Sequence, residues 1–186
     1  VSNKFIRVPK SFNPLLPRIL HIGTAENKNL ERHISALCNI PCTFVIVGEM
    51  SETQLRALEN SHINYENPRN LTIQEVVDEY ISCDLLLFAS TYEGFGIPII
   101  EAQTVGRPVV TSDLWSMPEV AGDAAVLVNP FDIDSIRAGV NLVISNSEFR
   151  EGLVHKGYQN CKRFSAKMIG AQYAKTYLEV YKNSLK

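Results

Sequence analysis

Twelve residues, Ser90–Glu101 (Ser-Thr-Tyr-Glu-Gly-Phe-Gly-Ile-Pro-Ile-Ile-Glu), carry the groups best suited to chemistry. Gly94 and Gly96 have no Cβ, so backbone amides there can approach a ligand closely. The stretch opens a helix, whose N-terminus adds partial positive charge and suits a phosphate. Glu93 and Glu101 flank seven residues and would face one pocket from different heights. A carboxylate accepts from both hydroxyls of a ribose diol. The other carboxylate could hold a sugar hydroxyl or stabilise a developing oxocarbenium ion. The pattern alone also admits a plainer reading, in which Glu101 is a first-turn helix glutamate favoured by the dipole and Glu93 an ordinary loop acid.

These residues need a scaffold, and the chain supplies an alternation of short apolar runs and helical patterns. Strands are expected at Arg18–Ile22, Thr43–Val47, Ile63–Tyr65, Leu85–Phe88, Pro108–Thr111 and Ala124–Val128. Helical spacing covers Asn29–Cys38, Ser51–Asn60, Thr72–Ser82, Pro98–Val105, Ile133–Ile144, Ser147–Cys161 and Ala166–Lys182. Thr72 and Glu75 form a capping box. Pro98 suits a first turn, Gly106 a stop, and Asp132 and Ser165 N-caps. Strands apolar throughout, each followed by a helix, specify a doubly wound α/β fold with a parallel, Rossmann-like sheet covered on both faces. Ligands of such sheets bind beyond the carboxyl ends of the strands, at the switch point. The loops to watch are therefore 23–28, 48–51, 66–71, 89–97 and 112–118. Residues 1–18, with Pro9, Pro14 and Pro17, read as a linker, and 19–186 as a single domain with two closing helices. Tyr65, Tyr80 and Phe88 read as core, and the four histidines as structural or exposed.

Glu93 through Glu101, then Ala102, Gly106-Arg-Pro-Val-Val110, Ser112, Met117-Pro-Glu119, Gly122-Asp-Ala-Ala125 and Asn129-Pro130, together resemble the C-terminal domain of family 4, or group 1, retaining glycosyltransferases. The resemblance runs from about Phe5 to Phe164. It implies one half of an enzyme with two Rossmann-like domains. By this likeness Glu101 binds the ribose of a nucleoside diphosphate sugar and Glu93 contacts the donor sugar. The backbone at Gly94, Phe95, Gly96 and Ile97 lines sugar and diphosphate. Gly23, Thr24 and Lys28, before Asn29, approach the phosphates, and the loop holding Asn70 and Leu71 receives the base. Lys28 and Glu93 would carry the catalytic roles. Members usually need no metal and no cofactor beyond the nucleotide sugar, of UDP, GDP or ADP type.

Two departures stand out. Many members carry an arginine where this chain has Thr24, leaving Arg69 and Arg107 as candidate substitutes. The N-terminal domain, with a catalytic histidine and the site for a saccharide or lipid acceptor, is expected to be absent. None of His21, His33, His62 and His155 matches that histidine.

The chain has 186 residues, 45% of them hydrophobic and 20% charged, with a formal charge of −2. That is enough for one buried core, and it gives no basic excess to attract nucleic acid. No apolar run reaches the ~18 residues of a membrane span. Cys38, Cys42, Cys83 and Cys161 lack zinc spacing and read as reduced thiols. The expected location is the cytoplasm, or the inner membrane surface reached through the absent domain. Two rival readings are a non-catalytic nucleotide-binding or interaction module and half of a nucleotide-sugar epimerase. Asp113, Trp115 and Glu119 are expected at the cleft mouth, with Trp115 either facing it or packing.

Overall fold

The computed structural model describes residues 2–184. Six strands form one fully parallel sheet: β1 (Arg18–Ile22), β2 (Thr43–Val47), β3 (Asn64–Glu66), β4 (Leu85–Phe88), β5 (Val109–Ser112) and β6 (Val126–Val128). Their order is β3-β2-β1-β4-β5-β6, so the chain reverses direction across the sheet between β1 and β4. Register is direct, with Ile19 opposite both Phe44 and Leu85.

Alternate residues of β1, β2, β4 and β5 enter opposite cores. Ile19, Phe44, Ile46, Leu85 and Leu87 pack on one face with α1 (Leu30–Leu37), α2 (Glu52–Ser61) and α6 (Ile133–Ser145). Leu20, Val45, Leu86 and Phe88 pack on the other with α3 (Ile73–Ser82), α4 (Ile97–Val105) and α5 (Met117–Ala121). Burial on both faces explains why these strands show no apolar–polar alternation. The caps follow from sequence as expected. Thr72 and Glu75 exchange bonds at the start of α3, and the Asp132 side chain accepts from the Asp134 amide at the start of α6. Gly106 ends α4 at φ +92°, where its amide donates to Ala102 and Gln103. The short α5 falls in a stretch read as loop. Tyr65 is not core: β3 is the edge strand, and all three of its residues are exposed.

Residues 2–17 contain no helix or strand. They are held to the domain where Phe5 stacks edge-on against Tyr80, the Val8 amide donates to the Val105 carbonyl, and Lys10 pairs with Asp84. At the other end, α7 (Ser147–Cys161) lies against α4, and α8 (Ala166–Ser184) leaves Tyr173, Tyr177 and Val180 exposed. None of the described helices is long and apolar enough to cross a membrane. All four cysteines are unpaired; burial pushes the Cys42 thiol up to about 11 and Cys83 to about 12, so both stay protonated.

Candidate active site

The loops after β1 and β4 leave the sheet side by side, because those strands are neighbours at the switch point. They are stitched together. The Thr91 amide donates to the Asn27 carbonyl (2.9 Å), and the Asn27 side-chain amide donates to the Tyr92 carbonyl (2.9 Å). Lys28, at the end of a short 3-10 turn (Glu26–Lys28), reaches across and donates to Glu93 Oε1 at 2.5 Å. Its ammonium also lies 4.8 Å from the centre of the Phe88 ring. The lysine stem folds over Gly23: a Cβ there would sit 3.1 Å from Lys28 Cε, and φ is +88°. Gly23 thus provides both the left-handed turn and the room for Lys28.

Glu101 lies on the second turn of α4, whose left-handed N-cap is Gly96 at φ +95°. The Tyr80 hydroxyl, carried by α3, donates to Glu101 Oε2 at 2.9 Å. Tyr80 has the core position expected of it, yet its hydroxyl orients a carboxylate of the site. That role escaped the sequence reading, because an aromatic on a helical stripe gives no sign of where its hydroxyl ends. Burial raises the Glu101 carboxyl above its ordinary range, and the bond from Tyr80 opposes that shift in part.

Asn29 holds the arrangement from below. It is buried with φ +63°, between the 3-10 turn and α1. Its side-chain amide donates to the carbonyls of Ala89 (3.0 Å) and Pro130 (2.7 Å), tying together the loops after β1, β4 and β6. Beside it, His21 and His33 are fully buried with Nδ1 atoms 3.0 Å apart. His33 Nε2 lies 3.2 Å from the Ala89 carbonyl and must donate to it, so His33 Nδ1 accepts from His21. Burial pushes His21 down to about 4, and burial followed by the neighbouring ring holds His33 well below its ordinary value. Both rings are therefore neutral in the fold, whereas in the unfolded chain each takes up a proton near 6.5. Their contribution to stability is complete above that value and is lost as pH falls toward about 4. The thermal midpoint is expected to drop between about pH 6.5 and about pH 5; an unchanged midpoint across that window would contradict a buried neutral pair.

Of the other expected site residues, Gly94 and Phe95 are exposed beside Glu93, and Ile97 is exposed at the first position of α4. Phe95 meets Phe164 edge to face. Thr24 faces the neighbouring loop: its hydroxyl donates to the Glu49 carbonyl, and its own carbonyl accepts from Gln54. Asn70 (φ +53°, exposed) and Leu71 lie farther along the sheet, on the loop after β3. That loop is anchored where Asn67 donates to the carbonyls of Ile46 and Gly48. Arg69 is exposed and donates to Asn67. Arg107 does not substitute for the missing arginine: it precedes β5 at the opposite end of the sheet and spends its guanidinium on the carbonyls of Val8 and Ile81. A cavity of about 520 Å³ opens at that end, between Arg7, Lys10, Arg150 and Tyr158. Lys10 there is paired with Asp84, and Arg150 donates to the last carbonyls of α6.

Residues 3–160 match the family model described as glycosyl transferases group 1. The serotype-specific mannosyltransferase WbdA of Escherichia coli is 34% identical over 159 residues, covering 77% of this chain and 20% of that protein. The O-antigen chain mannosyltransferase B of Escherichia coli is 37% identical over 98 residues, covering 53% of this chain and 26% of that protein. Among solved structures, the sucrose-phosphate synthase of Thermosynechococcus elongatus superposes with a TM-score of 0.77 at 19% identity, over 92% of this chain and 47% of that one. HepE of Anabaena, solved in complex with UDP and glucose, gives 0.72 at 18% identity, over 89% of this chain and 49% of that one. The chain thus spans about a quarter or less of these two curated relatives and about half of these two solved structures.

Proposed function

The chain belongs to the group 1 glycosyltransferases, and from that premise we propose that it is the donor-binding domain of an enzyme that transfers mannose from a nucleoside diphosphate to a saccharide hydroxyl with retention of configuration. Mannose comes from the names of the relatives. The observation that carries the reading is the Lys28–Glu93 pair, which spans the two switch-point loops just ahead of α4, the helix that carries the half-buried Glu101.

In this reading Glu101, held by Tyr80, accepts from both ribose hydroxyls. Asn70 and Leu71 border the base, and Glu93 holds the donor sugar. As the bond from the sugar's anomeric carbon to the diphosphate oxygen breaks, negative charge grows on the diphosphate. Lys28 and the amides of Thr24, Gly94, Phe95, Gly96 and Ile97 would stabilise that charge without reorganising, while the Gly23 amide is spent on the Val47 carbonyl. Lys28 then exchanges part of its bond with Glu93 for the phosphate oxygens. A second domain, proposed from the family, closes over the cleft and brings the acceptor from the cytoplasmic side.

The test is the reaction of the polypeptide that carries this chain with the α-mannosyl conjugates of UDP, GDP and ADP and a mannose-terminated acceptor. One conjugate is expected to give an α-linked product, read by the anomeric proton signal. A β-linked product would contradict retention, and no transfer from any conjugate would contradict the donor assignment.

A further inference from the structure

Trp115 is the sequence's one tryptophan, and it sits where sequence and backbone disagree. Its φ is +57°, the left-handed region, between β5 and α5. A bulky side chain in that region is strained. The conformation is held by two contacts that do nothing to bury the ring. The indole N–H donates to the Thr91 carbonyl at 3.0 Å, and the ring meets Tyr92 in a T-shaped pair with centroids 5.3 Å apart. Trp115 stays 67% exposed and Tyr92 55% exposed. The chain therefore keeps a strained tryptophan and a tyrosine standing in solvent, fixed in mutual orientation.

Their place in the fold gives the pair a use. Tyr92 and Glu93 are adjacent, yet they face opposite ways: the Glu93 carboxylate is drawn inward by Lys28 and Asn27, while Tyr92 stands outside. The next residue after Trp115 continues the link, since the Ser116 hydroxyl donates to the carbonyls of Glu93 (2.9 Å) and Phe95 (3.1 Å). The aromatic pair is thus built onto the backbone of the proposed donor-sugar loop, on its solvent side. Rigid aromatic rings with a fixed polar handle suit a ligand that has an apolar face and a polar edge. A pyranose ring has both: axial C–H groups on a face and hydroxyls around the rim. The β3 loop proposed for the base lies on the other side of β1, with three strands between β3 and β5.

We infer that Trp115 and Tyr92 form a stacking platform at the cleft mouth for the pyranose ring of the acceptor saccharide, next to the donor sugar held at Glu93. This rests on the donor-binding reading above, and the test separates the two. The chain is titrated with α-linked mannobiose while the emission of Trp115 is followed, and separately with UDP, GDP and ADP by calorimetry. Mannobiose is expected to shift the Trp115 emission saturably. Tyr92→Ala, which keeps the reporter, should weaken that binding about 3–10-fold, the worth of one aromatic contact. Trp115→Gly removes the ring and relieves the backbone, so it should melt no lower than the parent chain. By saturation-transfer NMR it should lose the saccharide signal, while its nucleotide affinity stays within about twofold of the parent's, below the smallest loss expected for one aromatic contact. Nucleotide binding without any response to mannobiose would overturn the platform and leave the donor reading standing. Loss of nucleotide affinity in Trp115→Gly would overturn it too, because the rings would then be stacking the base. Failure of every nucleotide to bind would instead strike the donor reading.

Discussion

Replacing Lys28 with methionine is expected to lower sugar transfer by about 10²–10³-fold, the usual cost of removing one preorganised donor from a developing anion. Methionine keeps an apolar stem over Gly23 and Phe88 and removes only the charged end. No other Lys or Arg occurs in residues 23–29 or 89–97, so neither switch-point loop contains a replacement cation. Because the charge appears as the diphosphate departs, kcat and kcat/KM should fall together. A nucleoside lacking phosphates should bind parent and variant alike, while the diphosphate binds the variant more weakly. The Lys28–Glu93 pair is largely buried, with side chains 20% and 13% exposed, so breaking it also lowers stability. Melting curves of Lys28→Met and of Lys28→Met/Glu93→Gln separate that effect from the loss of chemistry. Turnover within about fivefold of the parent, well short of the loss named above, would remove Lys28 from the mechanism.

The second large effect joins function to stability with opposite signs. Glu101→Gln should weaken nucleotide binding by about 10–100-fold, the worth of charge-assisted bonds to the ribose hydroxyls. The same change should stabilise the ligand-free fold at neutral pH. Burial raises the folded carboxyl above its unfolded value. A group shifted that way contributes stability at pH below the unfolded value, and loses it as pH rises through the folded one. Ionised Glu101 is thus a cost the empty site carries at neutral pH, and glutamine removes it while still accepting from Tyr80. The midpoint gain should shrink as pH falls toward the carboxyl range. Weaker nucleotide binding together with a lower midpoint would mean that the ionised carboxylate stabilises the fold, and would remove desolvation as the cause of the shift.

The strands were readable because both faces of the sheet are covered, so Thr43–Val47 and Leu85–Phe88 stand out as unbroken apolar runs. The caps at Thr72 and Asp132 were readable because their bonds are local. The carboxylates Glu93 and Glu101 could be placed because they share one short stretch with the glycines that shape it. What escaped depends on contacts distant in sequence. The Tyr80 hydroxyl reaches Glu101 only once α3 packs beside α4. Asn29 meets Pro130 across 101 residues, and His21 finds His33 only after α1 folds back on β1. Tyr65 was misplaced because Ile63-Asn64-Tyr65, a short stretch interrupted by a polar residue, does not show that its strand lies at the sheet edge. Arg107 looked free because the segment that engages it, at Val8, precedes it by 99 residues.

Calorimetric titration of the chain with UDP, GDP and ADP tests the central assignment most directly. The switch-point cleft is expected to bind one of the three, with a 1:1 stoichiometry and with weaker affinity in Glu101→Gln. A chain that melts cooperatively yet releases no heat with any of them would contradict a donor-binding site between β1 and β4.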